Sequence, residues 1–253
     1  MALAIITGGS SGLGSAIAGR LAAKGYELLL VARGEDRLQE EVARLKAKGK
    51  VDYLVADLAS PDGLRLVCDV IRDRQPEILV NSAGFGTHGR FDEQSDEEED
   101  SEIDLNIRAI MHLCRAALPA MRERRSGSVL NVASTAALQP VPFLATYAAT
   151  KAFVLSFSEA LAGEMREFGV TVTALCPGPM ETEFQRRAGM SRENYGMLIW
   201  ESVDDVADQA VRSLGKQSPV VFGSAAGFAM AFGSRFLPRS AVTAMGAHTF
   251  KPR

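Results

Sequence analysis

The chain has 253 residues, enough for one large α/β domain or two small ones; 47% are hydrophobic and 23% charged, the balance of a globular protein rather than a disordered one. Its formal charge is −3 with a pI near 5.7 and no block of Lys or Arg, which leaves a nucleic-acid partner little electrostatic support. Cys68, Cys114 and Cys176 are odd in number and far apart, and His88, His112 and His248 are equally scattered, so reduced buried thiols, a cytoplasmic setting and no metal site are expected.

In chain order, a strand is expected at once, in ALAIIT (2–7), after an N-terminus too short and uncharged for a signal peptide. It runs into TGGSSGLG (7–14) and the helical stretch SAIAGRLAAKG. A glycine-rich turn between strand and helix lets the backbone approach a phosphate, while the helix N-terminus offers free N–H donors and a partial positive charge. The spacing Gly8-xxx-Gly12-x-Gly14 departs from GxGxxG, so a purely structural tight turn is the competing reading. The second strand, ELLLVA (27–32), leads into VARGEDR (31–37), where dinucleotide folds often place an acid for the ribose 2′-hydroxyl. Arg33 stands there instead, and its planar fork suits a 2′-phosphate, with Arg37 one helical turn on and Glu35 and Asp36 as opposing carboxylates. NADP(H) is therefore expected in preference to NAD(H).

Further on, EDRLQEEVARLKAKG and DGLRLVCDVIRDR read as helices, the former ending at Gly49 as the first helix ends at Gly25. Strands are expected in VDYLVA (51–56), EILVNS (77–82), SVLNVA (128–133), VTVTALC (170–176) and PVVF (219–222). Several are nearly continuous apolar runs, the signature of strands covered on both faces, and the alternation predicts one doubly wound, mostly parallel α/β domain of about seven strands. The acidic run DEQSDEEEDSE (92–102) reads as the solvated entry to a long helix, with an acidic docking patch as the alternative. Residues 217–234 carry no charge, but Pro219, three glycines and three serines dilute them. A buried strand plus a docking helix is favoured over a peripheral membrane contact for this apolar extension (217–253).

TYAATK (146–151) puts Tyr147 and Lys151 four positions apart, on one helix face, with Ser134 thirteen residues upstream of the tyrosine. Reducing a carbonyl requires a proton donor where negative charge develops on oxygen. A free phenol has a pKa of about 10, and a neighbouring ammonium together with a positive oxidised nicotinamide is expected to lower it toward working pH. Between Ser134 and Tyr147, Leu138, Val141, Phe143 and Leu144 suggest an apolar pocket wall, stiffened by Pro140 and Pro142. FGTHGRF (85–91) is the candidate opposite wall and residues 183–203 a candidate lid.

In this order the motifs resemble those of the short-chain dehydrogenase/reductase family, from Ala2 to about Thr182. TGGSSGLG matches TGxxxGxG, and Asp57 in ADLAS matches the acid near the adenine. NSAG (81–84) matches NNAG with Ser82 replacing the second Asn, and Asn106 in LNI matches the family's helix asparagine. Ser134, Tyr147 and Lys151 complete the catalytic pattern, and PGPMET (177–182) matches PGxxxT. The resemblance implies a Rossmann-fold oxidoreductase that interconverts a carbonyl and an alcohol, with Asn106, Ser134, Tyr147 and Lys151 catalytic. It implies cofactor contacts from Gly8, Ser10, Ser11, Gly12, Leu13, Gly14, Asp57, Leu58, Asn81, Ala83, Gly84, Tyr147, Lys151, Pro177, Gly178, Met180 and Thr182, alongside Arg33. On the family's pattern Lys151 binds the nicotinamide ribose, Thr182 lies near the carboxamide, and Asn106 holds a water that reconnects Lys151 to solvent. A homo-oligomer and a small-molecule carbonyl or alcohol substrate are also implied, and the apolar side chains between Ser134 and Tyr147 lead to the expectation of a hydrophobic one. Two competing readings are an NADP(H)-sensing binding protein and a membrane-associated reductase of lipid-like carbonyls; having Ser134, Tyr147 and Lys151 together favours an enzyme over the sensor.

Overall fold

The computed structural model describes residues 2–188, 190, 198–234 and 236–252. Strands and helices alternate: β1 (Leu3–Thr7), α1 (Gly12–Ala23), β2 (Glu27–Ala32), α2 (Glu35–Leu45), β3 (Val51–Val55), α3 (Pro61–Arg74) and β4 (Ile78–Asn81). They continue as α4 (Asp96–Ile103), α5 (Ile110–Glu123), β5 (Gly127–Val132), α6 (Ala145–Met165), β6 (Val170–Cys176), α7 (Glu183–Arg187) and α8 (Val203–Ser213). The chain closes with β7 (Val220–Phe222), α9 (Ala225–Ser234) and α10 (Arg239–Thr249). All seven strands pair in parallel in the order β3-β2-β1-β4-β5-β6-β7, a doubly wound Rossmann sheet.

Strand side chains alternate between the two faces, and each face has its own core. Leu3 and Ile5 of β1 pack with Val67 and Ile71 of α3, Leu113 and Met121 of α5 and Val154 of α6. Ala4 and Ile6 pack on the other face with Ile17 and Leu21 of α1, Leu38 and Leu45 of α2 and Val206 of α8. The apolar runs of β1, β2 and β4 follow from this double coverage. Several ends have local causes: the Ser60 hydroxyl accepts from Gly63 N–H to start α3, and Gly25 takes φ +85 just past α1. The helix α2 stops at Leu45, earlier than Gly49 predicts, because Lys46–Lys48 tighten into a 3₁₀ turn before the glycine.

Two other expectations change. The long helix predicted after the acidic run is α4 and α5 joined by a π turn over Asp104–Ala109. The run is largely solvated, as expected, but Glu102 is a correction: it is fully buried, because it turns inward one helical turn before Asn106. In the apolar extension β7 forms the seventh strand, while α9 keeps Phe228 and Phe232 half exposed and Phe236 follows, more exposed still. Among the described residues no helix is long and apolar enough to cross a membrane.

The two sides of α3 give a direct test of where the core lies. Ile71→Ala, at a fully buried position, is expected to cost ~2–5 kcal/mol. Leu66→Ala, at a half-exposed position on the same helix, is expected to change stability by under ~0.5 kcal/mol in urea unfolding.

Candidate active site

The winding of the sheet reverses between β1 and β4, and the loops after these strands meet in a crevice at their carboxyl ends. Gly8 has φ +67, and a Cβ there would stand 2.9 Å from the Ala83 backbone. At Gly14 a Cβ would fall 2.2 Å from the Gly8 carbonyl oxygen, so the turn closes only with glycine. Gly12, at φ +53, faces Thr182, and a Cβ built there would meet the Thr182 methyl at an ordinary contact distance of 3.6 Å. Ser11 precedes α1 without a side-chain cap, and no acid stands in the helix's first turn, so its leading N–H groups face outward beside Ser10. These features fit a dinucleotide's diphosphate: a glycine turn whose backbone is bare of side chains, a helix start with no side-chain cap, and the PGPMET segment alongside. Leu13 and Leu58 are buried in the core, and Asp57, exposed beyond β3, accepts from Ala59 N–H at 3.0 Å.

Thr7, the first residue of TGGSSGLG but given no role of its own in the sequence reading, joins the two loops. Its hydroxyl lies 3.1 Å from Ser82 N and 3.2 Å from Ala83 N. The Asn81 side chain turns away from the crevice and donates to Asn131 Oδ1 at 2.8 Å within the core. Arg33 is exposed past β2. The Glu35 carboxylate, which could oppose a bound phosphate, accepts from Tyr53 OH at 3.0 Å and from Gln39 at 3.4 Å. Arg37, the expected helper, instead pairs with Glu183 at the start of α7.

Ser134, Tyr147, Lys151 and Asn106 come together at the ends of β4 and β5. The Ser134 hydroxyl bonds the Tyr147 phenol and also accepts from Ala136 N–H at 3.1 Å. Lys151 Nζ donates to Val132 O at 2.8 Å and sits 5.7 Å from the centre of the Tyr147 ring. Asn106, on the π turn, donates to Phe85 O at 2.8 Å and Thr150 Oγ1 at 3.1 Å, and accepts from Phe85 N–H at 3.3 Å. Its side chain thus holds the loop after β4 in place. A Cβ on Gly84 would lie 3.0 Å from Asn106 Oδ1 and 3.4 Å from Lys151 Nζ, so this loop runs directly across the ammonium.

The electrostatics differ from the sequence expectation. Burial pushes the Tyr147 phenol up to about 12; the Ser134 hydrogen bond works against this and Glu102 adds to it. Burial also draws the Lys151 ammonium down to about 8, opposed by Glu102. Desolvation is the largest cause for both groups and favours the neutral form of each. Glu102 itself is pushed up to about 7, chiefly by burial. Its Oε2 accepts from Thr87 N–H at 2.8 Å and lies 2.9 Å from Thr87 Oγ1, which is also 2.7 Å from Glu99 Oε1. A hydroxyl has one proton to donate, so full bonding to both oxygens requires a proton on one of the two carboxyls.

The apolar wall is also in place. Val141, Leu144 and Ala148 pack with Ala188 and Met190, and Tyr147, Leu198, Trp200 and Phe250 join them. Leu138 packs into the sheet core instead. Phe143, at φ +67, accepts from Gly89 N–H at 2.9 Å, which brings FGTHGRF against this wall. Residues 189 and 191–197 of the candidate lid lie outside the described residues. Among the described residues no group of three or more His, Cys, Asp or Glu side chains could hold a metal, and the three cysteines are buried and free.

A dinucleotide crevice opening onto a serine, tyrosine and lysine cluster defines an NAD(P)-dependent oxidoreductase acting on CH–OH and C=O groups. The chain belongs to the short-chain dehydrogenase family, whose model matches residues 2–193. It is 31% identical over 220 residues to an uncharacterized oxidoreductase of Staphylococcus epidermidis, covering 86% of this chain and 93% of that one. A short-chain dehydrogenase from Sphingobium yanoikuyae, solved in complex with NADPH, superposes with a TM-score of 0.84 at 33% identity, over 93% of this chain and 94% of that one. The bulky-bulky ketone specific alcohol dehydrogenase from Comamonas testosteroni follows with a TM-score of 0.79 at 29% identity, over 93% and 92% of the two chains.

The raised Glu102 pKa has a signed consequence for stability. The unfolded carboxyl ionises near 4.5 and the folded one near 7, so Glu102 costs nothing below the first value and destabilises the fold as pH rises through that window. Glu102→Gln keeps an acceptor for Thr87 without the charge. The difference in Tm, variant minus wild type, is expected to grow from pH 4.5 to pH 7 and then level off, as read by thermal unfolding across pH.

Proposed function

We propose that the protein is an NADP(H)-dependent oxidoreductase that interconverts a hydrophobic carbonyl compound and its alcohol, with Tyr147 as the proton donor and acceptor. The observation that carries this reading is the half-buried Tyr147 phenol, which faces Ser134 with the Lys151 ammonium 5.7 Å from its ring centre, at the mouth of the dinucleotide crevice. A phenol held well above its ordinary range stays protonated at neutral pH, the form needed to donate to an alkoxide developing on the substrate oxygen. Ser134 Oγ orients that oxygen by a hydrogen bond. When bound, NADP(H) supplies or accepts the hydride.

Lys151 Nζ would bind ribose hydroxyls, as the family's pattern implies, and favour the phenolate once the proton has left. Gly8, Gly12 and Gly14 with the start of α1 would cradle the diphosphate, and Thr182 and its neighbours in PGPMET the nicotinamide end. The preference for NADP(H) is supported by Arg33 at the tip of β2, by the engagement of Glu35 with Tyr53 and Gln39, and by a relative solved with NADPH. Hydrophobic substrates are supported by the wall of Val141, Leu144, Trp200 and Phe250 and by a relative specific for bulky-bulky ketones. A cytoplasmic homo-oligomer is part of the proposal on the family's pattern. Peripheral membrane attachment is the second reading, favoured by the stacked and half-exposed Phe228 and Phe232, with Phe236 edge-on beyond them; a protein that stays out of floated liposomes excludes it.

Tyr147→Phe is expected to lower kcat by at least ~10²-fold while leaving NADPH affinity near wild type, followed by steady-state kinetics and fluorescence titration. A fully active variant overturns the mechanism. Arg33→Ala is expected to cut the ratio of kcat/KM for NADPH over NADH by roughly tenfold; an unchanged ratio removes Arg33 from phosphate recognition.

A further inference from the structure

Glu201, at the exit of the candidate lid, grips two parts of the chain at once. Its backbone N–H donates to Pro179 O at 2.8 Å, and its Oε2 accepts from Gly178 N–H at 2.8 Å, both in PGPMET. Its other oxygen, Oε1, accepts from the Ser224 hydroxyl at 2.5 Å, and that hydroxyl in turn accepts from Gly227 N–H at 3.0 Å in the first turn of α9. The backbone adds a parallel bridge from Met180 to Glu201. Three glycines make room for this one carboxylate: a Cβ would come within 3.2 Å of Oε1 at Gly178, 2.1 Å of Oε2 at Gly223 and 2.8 Å of Oε1 at Gly227.

We infer that Glu201 is a positioning residue for the PGPMET segment, fixing where its backbone stands at the nicotinamide end of the crevice and tying that position to α9. The inference rests on the reading that Pro177–Thr182 contacts the nicotinamide end of the cofactor. A carboxylate that accepts from a loop N–H on one side and a helix-start hydroxyl on the other fixes the loop's distance from that helix. Backbone pairing alone would leave the loop free to pivot about the Pro179 bond. Without the carboxylate, Gly178 N–H loses its acceptor, and the segment follows the lid instead of the sheet. The effect is local: Gly8–Gly14 and Arg33 lie on other loops and keep their places.

The test measures NADPH affinity and, separately, affinity for 2′,5′-ADP, which carries only the adenosine side. Glu201→Ala is expected to raise the Kd for NADPH roughly tenfold and to leave that for 2′,5′-ADP within about twofold. Glu201→Gln, whose amide can still accept from Gly178 and pair with Ser224, is expected to restore NADPH binding. Gly227→Ala puts a methyl against Oε1 and is expected to weaken NADPH binding in the wild-type background but add nothing in Glu201→Ala. Equal losses for both ligands mark a merely structural role and overturn the inference, as does an unchanged Kd for NADPH in Glu201→Ala. A wild-type protein that fails to bind NADPH overturns the cofactor reading first and this inference with it.

Discussion

At the ends of β1 and β4 two backbone segments touch with no side chain between them, and the site depends on that contact. Gly8 lies against Ala83, and Thr7 sends its hydroxyl to the N–H groups of Ser82 and Ala83. The contact sets the depth of the crevice and the path of the loop after β4, which then passes across Asn106, Lys151 and Tyr147. A parallel sheet produces such a meeting point only where its winding reverses, so topology and chemistry share one location. Widening the contact by one methyl would move the loop that faces the phenol.

The second constraint is the lack of water around the ionisable groups. In solvent an ammonium beside a phenol would simply favour the phenolate. Here Lys151 and Glu102 are buried beside the half-buried Tyr147, and desolvation moves each of the three toward its neutral form. The phenol is held protonated, the ammonium is loosened, and the carboxyl behind them retains a proton into the neutral range. The charge balance around Tyr147 is thereby tied to a carboxylate outside the motif.

The fold was legible because parallel strands buried on both faces write themselves as apolar runs, and glycines mark the turns between strand and helix. All seven strands lie where those runs predict, within a residue or so at each end. Tyr147 and Lys151 were legible as neighbours on one helix face from their spacing, while Ser134 and the grouping of the three came from the motif order of the resembling family. Glu102 was hidden in a run of acids, since composition does not reveal which member of an acidic helix turns inward; its place one turn before Asn106 was the available signal. Arg37 looked like a helper for Arg33, yet its partner Glu183 lies 146 positions away in sequence. Glu201 has no motif at all: the room around it comes from glycines in three separate segments. Asn81 sits in a cofactor motif, but the side-chain alternation of β4 turns it into the core toward Asn131.

Gly86 shows what the close packing of this site allows and forbids. A methyl there would lie 2.7 Å from the Tyr147 ring and 3.2 Å from Phe184, so the loop after β4 forms a wall without side-chain variety at the point nearest the phenol. The facing wall, from Val141 to Leu144 with Trp200 and Phe250, is built from side chains that can be exchanged for larger or smaller ones. The crevice is therefore a one-sided mould: one wall is glycine backbone packed against the Tyr147 ring, and only the other is built from side chains that can vary in size.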